Sequence, residues 1–273
     1  MSNPPQSPLA SPDAWNLVSD GYVHELLFQF QLFANDAIEL AALGPQAIVV
    51  DVATGPGTLA LELAPAVREV RALDFAEAMI AQLGRRARDL GVRNVQATVG
   101  DGQALPFADN SFDAGFSMFG LIFFPDRAAG LRELLRVLRP GAKVVIASWA
   151  PYDRVPLMAE LMRCVREALP DLPFGQGKAP LGEAVEMERE LSAAGFRDVV
   201  VHERSHTLPV PSVEAFWQTN LRAMAPLVLL KNKLPTPAWH RFTQTVLKSL
   251  RKRVGEGPLE VSPVALFGVG YKP

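Results

Sequence analysis

Residues 47–64 read AIVVDVATGPGTLALELA. Ala47 to Ala53 is a run of β-branched and small apolar residues broken only by Asp51, which predicts a strand buried on both faces. Gly55-Pro-Gly57 follows at once, and Thr58 to Ala64 reads as a short helix. In an open parallel sheet, a strand that runs into a glycine loop and then a helix marks the ligand-binding edge. There, missing β-carbons let the backbone approach closely. Gly55, Gly57 and Ala60 also satisfy the loose dinucleotide spacing G-x-G-x-x-G/A. That spacing alone is equally compatible with an ordinary tight strand–helix turn.

Working outward, the chain alternates strands and helices. Val67 to Leu73 is a second strand. Ala76 to Leu90 is a helix with apolar Met79, Ile80, Leu83, Ala87 and Leu90, stopped by Gly91. Val95–Val99, Phe112–Ser117 and Lys143–Trp149 are further strands, the last preceded by a helix over Asp126–Leu138. The alternation predicts an α/β fold with a mostly parallel sheet covered on both faces, doubly wound and Rossmann-like. Upstream, Pro4, Pro5, Pro8 and Pro12 mark a disordered start over 1–12. Asp13 is a candidate cap for a helical stretch ending at Gly44-Pro45. Beyond Trp149 the pattern is irregular: a proline-rich 150–180 with a helical pattern at Leu157–Ala168, helix at 183–194, a strand at Asp198–His206, mostly helix over 212–253, and a last strand at Val264–Tyr271.

Of the 273 residues, 49% are hydrophobic and 21% charged, enough for a sizeable core and against wholesale disorder. Lys+Arg total 27 against 29 Asp+Glu, a net charge of −2, so no global basic charge points to nucleic acid. A single cysteine, Cys164, excludes an intrachain disulfide framework and a multi-cysteine zinc site, and no metal is expected. The first residues lack a signal-peptide pattern. The longest apolar runs, such as Met224–Leu230, are far below the ~18 residues of a spanning helix. A soluble, cytoplasmic protein without integral membrane association is the expectation.

Three acids each end a successive strand. Asp51 at the mouth of the glycine loop would repel a pyrophosphate and favours a cationic or amine-bearing ligand. Asp74, 23 residues on, suits the two hydroxyls of a ribose; its alternative is a cap on the helix that follows. Asp101, in Val99-Gly-Asp-Gly-Gln103, is placed to accept from an exocyclic base amine, with Gly102 and Gln103 lending backbone groups; its alternative is a plain loop aspartate. Together they point to a nucleoside carrying an amine.

Four blocks then carry a resemblance: VVDVATGPGTLALELA (49–64), VRALDFAEAMIAQ (70–82), VGDGQALPFADNSFDAGFSMFGLIFFPD (99–126) and LRELLRVLRPGAKVVIASW (131–149). They resemble the class I S-adenosylmethionine-dependent methyltransferases of the small-molecule type that includes the ubiquinone and menaquinone C-methyltransferases. The resemblance implies S-adenosyl-L-methionine as cofactor, with Asp51 and the loop of Ala53, Thr54, Gly55 and Gly57 at its methionine end. It assigns Asp74 to the ribose, Phe75 and Met79 to apolar contact with the adenine, Asp101 to the adenine amine, and Ser117 to the strand end beside the sulfonium. It also implies a seven-stranded sheet whose last strand runs antiparallel in a hairpin. The family's first loop glycine is Ala53 here, as in quinone-type members. Many relatives follow the fourth strand with a His-rich segment, whereas this chain has apolar Met118–Phe124. The resemblance fades near residue 150. The expected organisation is therefore an N-terminal helical cap segment at 13–43, a cofactor-binding core at 44–150, and a remainder, 151–273, that supplies the last strands and cap insertions near 150–180 and 211–260.

For the acceptor, Phe119 and Phe123 are candidate pocket walls. Tyr22 is a candidate cofactor contact from the first helix, and His24 the candidate base there. Asp126 reads as the cap of its helix and Cys164 as a small buried apolar residue. Between Ala215 and Gly255 lie eight basic residues and no acid (Arg222, Lys231, Lys233, Arg241, Lys248, Arg251, Lys252, Arg253). This stretch is either a solvated face or an attraction for an anionic substrate, a carrier-bound substrate or anionic lipid. It is too short, and too poor in interleaved aromatics, for nucleic acid. The expected function is methyl transfer to oxygen or carbon of a small, largely apolar acceptor, aromatic, quinone-like or polyketide-like. The alternatives are a cofactor-binding protein of this fold without methyl transfer (scaffold or rearrangement catalyst) and an NAD(P)-dependent oxidoreductase, which leaves Asp51 and Gly100-Asp-Gly without roles.

Overall fold

The computed structural model describes residues 7–170 and 179–273. A 3-10 turn at Pro8–Ala10 leads into α1 (Pro12–Ala41). Then come β1 (Ile48–Val52), α2 (Thr58–Leu63), β2 (Glu69–Asp74), α3 (Glu77–Asp89) and β3 (Val95–Val99). β4 (Phe112–Met118), α4 (Arg127–Val137), β5 (Leu138–Trp149), α5 (Pro156–Ala168), α6 (Ala184–Ala193) and β6 (Arg197–Ser205) follow. The last stretch holds β7 (Leu208–Val210), α7 (Val213–Ala223), α8 (Ala225–Lys233), α9 (Thr236–Val254), β8 (Leu259–Val261) and β9 (Val264–Tyr271).

Seven strands form one sheet in the order β3-β2-β1-β4-β5-β9-β6, with β9 antiparallel to both neighbours and the other paired strands parallel. The expected sheet and its antiparallel last strand are therefore present. Strand alternation divides the core. Val49, Ala114, Phe116, Val145 and Phe267 face α1 and α2, while Val50, Val52, Val144 and Ile146 face α4 and α6. The strand order reverses between β1 and β4, the switch point at whose carboxyl edge open α/β sheets bind ligands.

The connection from β6 to β9 is not a short hairpin. β7 and β8 pair antiparallel as a two-stranded stalk, Leu208 opposite Val261, and α7, α8 and α9 lie between them. These helices share an apolar core with α5, built on Leu161, Val165, Trp217, Leu227, Phe242 and Val246. Cys164 is buried in it, as expected. The cap insertion expected at 211–260 is thus an insertion into the β6–β9 hairpin; the one expected at 150–180 contains α5, and its residues 171–178 lie outside the described residues.

The start of the chain departs from expectation. Residues 1–6 of the expected disordered stretch lie outside the described residues, but Pro8–Ala10 turns and the Trp15 indole donates to the Leu9 carbonyl at 2.9 Å. Ser11, not Asp13, caps α1: its hydroxyl accepts from the Asp13 amide, and Pro12 takes the first helical position, where its missing N–H costs nothing. The helix ends at left-handed Ala42.

Candidate functional site

The glycine loop between β1 and α2 is clamped from several sides. The Thr54 amide donates to the Leu73 carbonyl at 3.0 Å and the Gly57 amide to the Thr54 carbonyl at 3.0 Å. Arg86 of α3 reaches the Pro56 carbonyl at 2.6 Å. Ala53, Gly55 and Gly57 all have positive φ (57°, 55° and 75°). At Gly57 a β-carbon would lie 2.5 Å from Leu83, so this glycine lets α3 approach the loop and does not face the cavity.

Asp74, 5% exposed at the end of β2, accepts from the Gly55 amide at 2.8 Å and from the Ala76 amide at 2.9 Å. It therefore pins both the glycine loop and the turn into α3. Burial pushes its carboxyl up to about 6, against the pull of those amides. Asp51, 1% exposed, accepts the Thr54 hydroxyl proton at 2.6 Å on one oxygen, while its other oxygen is buried without a partner. Burial, aided by the nearby Asp74 charge, pushes Asp51 up to about 7. The Thr58 hydroxyl is a second buried orphan, and both line a recess of about 40 Å³ with Thr54, Gly55 and Tyr22. Buried polar groups left unpaired cost stability, so two of them around one recess mark a place where a polar ligand group would be held.

The recess shares Tyr22, Phe30, Ala53, Gly55, Met118 and Phe119 with a cavity of about 710 Å³. That volume lies within the usual span of small-molecule sites. One end is lined by Asp74, Phe75, Met79, Asp101, Gly102 and Gln103, the other by the cap through Val210, Phe216, Thr219 and Met224. Asp101 is exposed and accepts from the Gln103 backbone and side-chain N–H groups at 2.8 and 3.0 Å. The Gln103 carbonyl oxygen accepts in turn from the Asp126 amide at 2.9 Å, and Asp126 caps α4 by accepting from Ala129. Gly102 is required by packing, since a β-carbon there would strike Phe124 at 2.5 Å. Phe119 stacks on Trp149, centroids 3.9 Å apart, with Phe30 and Phe33 edge-on to both rings. Phe123 packs on Trp15 at 4.8 Å. Tyr22, its phenol held above the usual range by burial and by Asp74, stacks on Phe30 at 4.9 Å.

Two expectations fail. Ser117 is fully buried and lines neither the cavity nor the recess: Phe116 and Met118 face α1, so alternation along β4 turns Ser117 to the opposite side. His24 is 86% exposed, because Tyr22, Glu25, Leu26 and Gln29 form the cavity-facing stripe of α1 and residue 24 falls on the far side. The basic stretch lies outside the cavity. Arg222 pairs with Glu25, Arg251 with Glu214, and Arg253 with Glu167 and Glu160; Lys231, Lys233, Arg241, Lys248 and Lys252 are exposed. Cavity walls not singled out from sequence include Phe30 and Trp149. Trp149 ends a predicted strand, the same rule that located the three acids, whereas Phe30 carries no such local signal. Among the described residues no group of three or more His, Cys, Asp or Glu is arranged to hold a metal, and no helix is long and apolar enough to cross a membrane.

Residues 49–141 match the family model described as a methyltransferase domain. Over 121 residues the chain is 42% identical to the demethylmenaquinone methyltransferase of Beutenbergia cavernae, covering 42% of this chain and 48% of that protein. Over 102 residues it is 43% identical to the Corynebacterium kroppenstedtii enzyme of the same name, covering 37% and 42%. The chain thus spans less than half the length of these curated relatives. Among solved structures, the YcgJ protein of Bacillus subtilis aligns with a TM-score of 0.57 at 20% identity over 88% of this chain and 98% of that one. The [4+2]-cyclase SpnF aligns with a TM-score of 0.62 at 17% identity over 100% and 99%. Residues 49–141 thus carry a methyltransferase domain, and the chain is similar there to demethylmenaquinone methyltransferases. That match sets aside the nicotinamide oxidoreductase reading.

Proposed function

We propose that this protein transfers a methyl group from S-adenosylmethionine to oxygen or carbon of a small, apolar, quinone-like acceptor. The observation that carries the reading is the polarity of one continuous site: orphaned Asp51 and Thr58 in the recess, Asp74 and Asp101 at the strand ends, and an apolar aromatic and cap-lined remainder. Asp51 and Thr58 fit the amino-acid end of the cofactor, because a buried, orphaned carboxylate oxygen favours an ammonium. Asp74 fits the ribose hydroxyls, Asp101 the base amine, and Phe75 and Met79 the apolar faces of the base. When bound, the cofactor supplies an already activated methyl donor.

The chain's own part is then alignment and exclusion of water. The stacked Phe119–Trp149 pair offers a flat apolar wall suited to a planar acceptor, and the similarity to demethylmenaquinone methyltransferases supports a quinone-type one. α1 and the cap close the site from the solvent side. His24 takes no part in this reading. No side chain is assigned as base, and the acceptor's proton leaves to solvent. Calorimetric titration with S-adenosylhomocysteine, followed by transfer of labelled methyl to naphthohydroquinones, tests the reading. Micromolar binding weakened at least tenfold by Asp74→Ala, with methylated product, is the expected result. A folded wild-type protein that binds no S-adenosylhomocysteine overturns it.

A second reading has one observation in its favour: among the described residues no Lys, His or Cys lines the cavity. A rearrangement catalyst that binds the cofactor without transferring its methyl group would need enclosure alone. Tight cofactor binding with isomerised but unmethylated acceptor would favour it.

A further inference from the structure

The cap half of the cavity contains a polar cluster that the cofactor end does not explain. Glu25 of α1 and Thr219 and Asn220 of α7 line it together. The Thr219 hydroxyl donates to Glu25 Oε2 at 2.8 Å and Arg222 Nε donates to Oε1 at 2.6 Å. One N–H of the Asn220 side-chain amide donates to the Phe216 carbonyl at 2.8 Å. α1 reaches α7 at Gly21, where a β-carbon would stand 2.2 Å from the Arg222 carbonyl oxygen, so the cluster is built by a close helix crossing.

The chemistry of this cluster is one-sided. Thr219 has committed its only proton to Glu25, so the pair presents lone pairs to the cavity. The Arg222 hydrogen bond holds the Glu25 carboxyl below the usual range, so it is a carboxylate at neutral pH, with its side chain 10% exposed. Among the described residues no Lys, Arg or His lines the cavity, and the other charged lining residues are Asp74 and Asp101. A ligand donor would be received here. A ligand anion would meet like charge at Glu25, Asp74 and Asp101, and an unpaired buried anion is strongly disfavoured.

We propose that Glu25 and Thr219 form an acceptor-recognition subsite for a neutral hydroxyl carried on an apolar body, and that the cavity rejects carboxylate- and phosphate-bearing acceptors. This assignment rests on the methyl-transfer reading of the cavity and narrows its substrate class. Glu25 is a positioning residue here. Its carboxylate orients the hydroxyl and is itself kept ionised by Arg222.

Direct binding, without turnover, tests it. 1-Naphthol, 1-methoxynaphthalene and 1-naphthoate are titrated calorimetrically into the protein with and without saturating S-adenosylhomocysteine. The expected order is 1-naphthol tighter than either of the others by about tenfold, the size of one hydrogen bond to a charged group. In Glu25→Gln, which keeps an oxygen for Thr219, the preference for naphthol over methoxynaphthalene should fall to within about threefold while the S-adenosylhomocysteine Kd stays within about threefold of wild type. A Glu25 that merely latched α1 to α7 would lower Tm and weaken all three probes together, leaving the preference unchanged, and that result overturns the proposal. So does naphthoate binding as tightly as naphthol to the wild type, which needs no variant to fold. If S-adenosylhomocysteine fails to bind, the methyl-transfer reading falls, while the naphthalene series without it still decides what Glu25 recognises.

Discussion

At the scale of single residues, the site is set by two buried carboxylates whose charge is disfavoured. Burial holds Asp51 and Asp74 at about 7 and about 6 in the folded protein, against an ordinary carboxylate value of 3.8. The folded state therefore binds more protons than the unfolded chain between pH ~4 and ~7, and stability from these groups falls as pH rises through that window. Asp51→Asn should raise the Tm of the ligand-free protein at pH 8 and flatten its decline between pH 5.5 and 7.5, measured by calorimetry. The same substitution should weaken S-adenosylhomocysteine binding at least tenfold. In the wild type, affinity should fall as pH drops below 7, because the carboxylate form is the one that receives an ammonium. A second residue pair explains an unusual loop. Ala53 sits at φ 57°, a left-handed conformation costing about 1–2 kcal/mol, and a β-carbon on Gly120 would lie 2.3 Å from its own. Gly120→Ala should destabilise by about 1–3 kcal/mol through overpacking. Ala53→Gly should lift the backbone strain and make room, so the double variant should be more stable than Gly120→Ala alone, a coupling that a double-mutant cycle measures.

Among the elements, α1 packs against both the sheet and the cap. Its second half packs Phe33, Ala34, Ala37 and Ala41 into the core, while Asn16 accepts from the Ala78 amide of α3 and Gln82 donates to Asp20. On the cap side it meets α7 through Gly21 and Glu25. Gly21→Ala adds helix propensity worth up to about 1 kcal/mol, yet its methyl group would fall on the Arg222 carbonyl. The clash should win. Faster amide exchange along α7 and a several-degree fall in Tm are the expected outcome, and an unchanged or raised Tm would show that the helices part without cost.

For the whole molecule, the cavity is shared between core and cap, so any ligand filling it couples the two. Saturating S-adenosylhomocysteine at about 100 times its Kd should add about 2.7 kcal/mol to global stability. It should also slow amide exchange in the 53–57 loop and α3, with protection reaching α7 and α8 only when an acceptor analogue is present as well. The exposed basic residues lie outside this cavity. Reversing Lys231, Lys248 and Lys252 to Glu together should leave the Kd of S-adenosylhomocysteine and of 1-naphthol within about twofold, which isothermal titration reads directly.

The strand–loop–helix edge and the acids on it are legible from the residues alone. Strand burial is written in short apolar runs, the loop in Gly55-Pro-Gly57, and the positions of Asp51, Asp74 and Asp101 follow from where those runs end. Such signals are local, within a few residues of the groups they place. Strand alternation turns Ser117, which the resemblance assigns to the sulfonium, to the far side of the sheet, and helical phase turns His24 of the first helix away from the cavity. Only the tertiary structure decided the rest. It made the β6–β9 connection a stalk carrying a helical cap. It gave Asp74 two amide partners, and it left Asp51 and Thr58 with orphaned oxygens around one recess. It also brought Glu25 to Thr219, 194 residues apart, across a helix crossing that only glycine permits. Contacts of that kind depend on how amphipathic faces dock, and a sequence window records each face without recording which other face it meets.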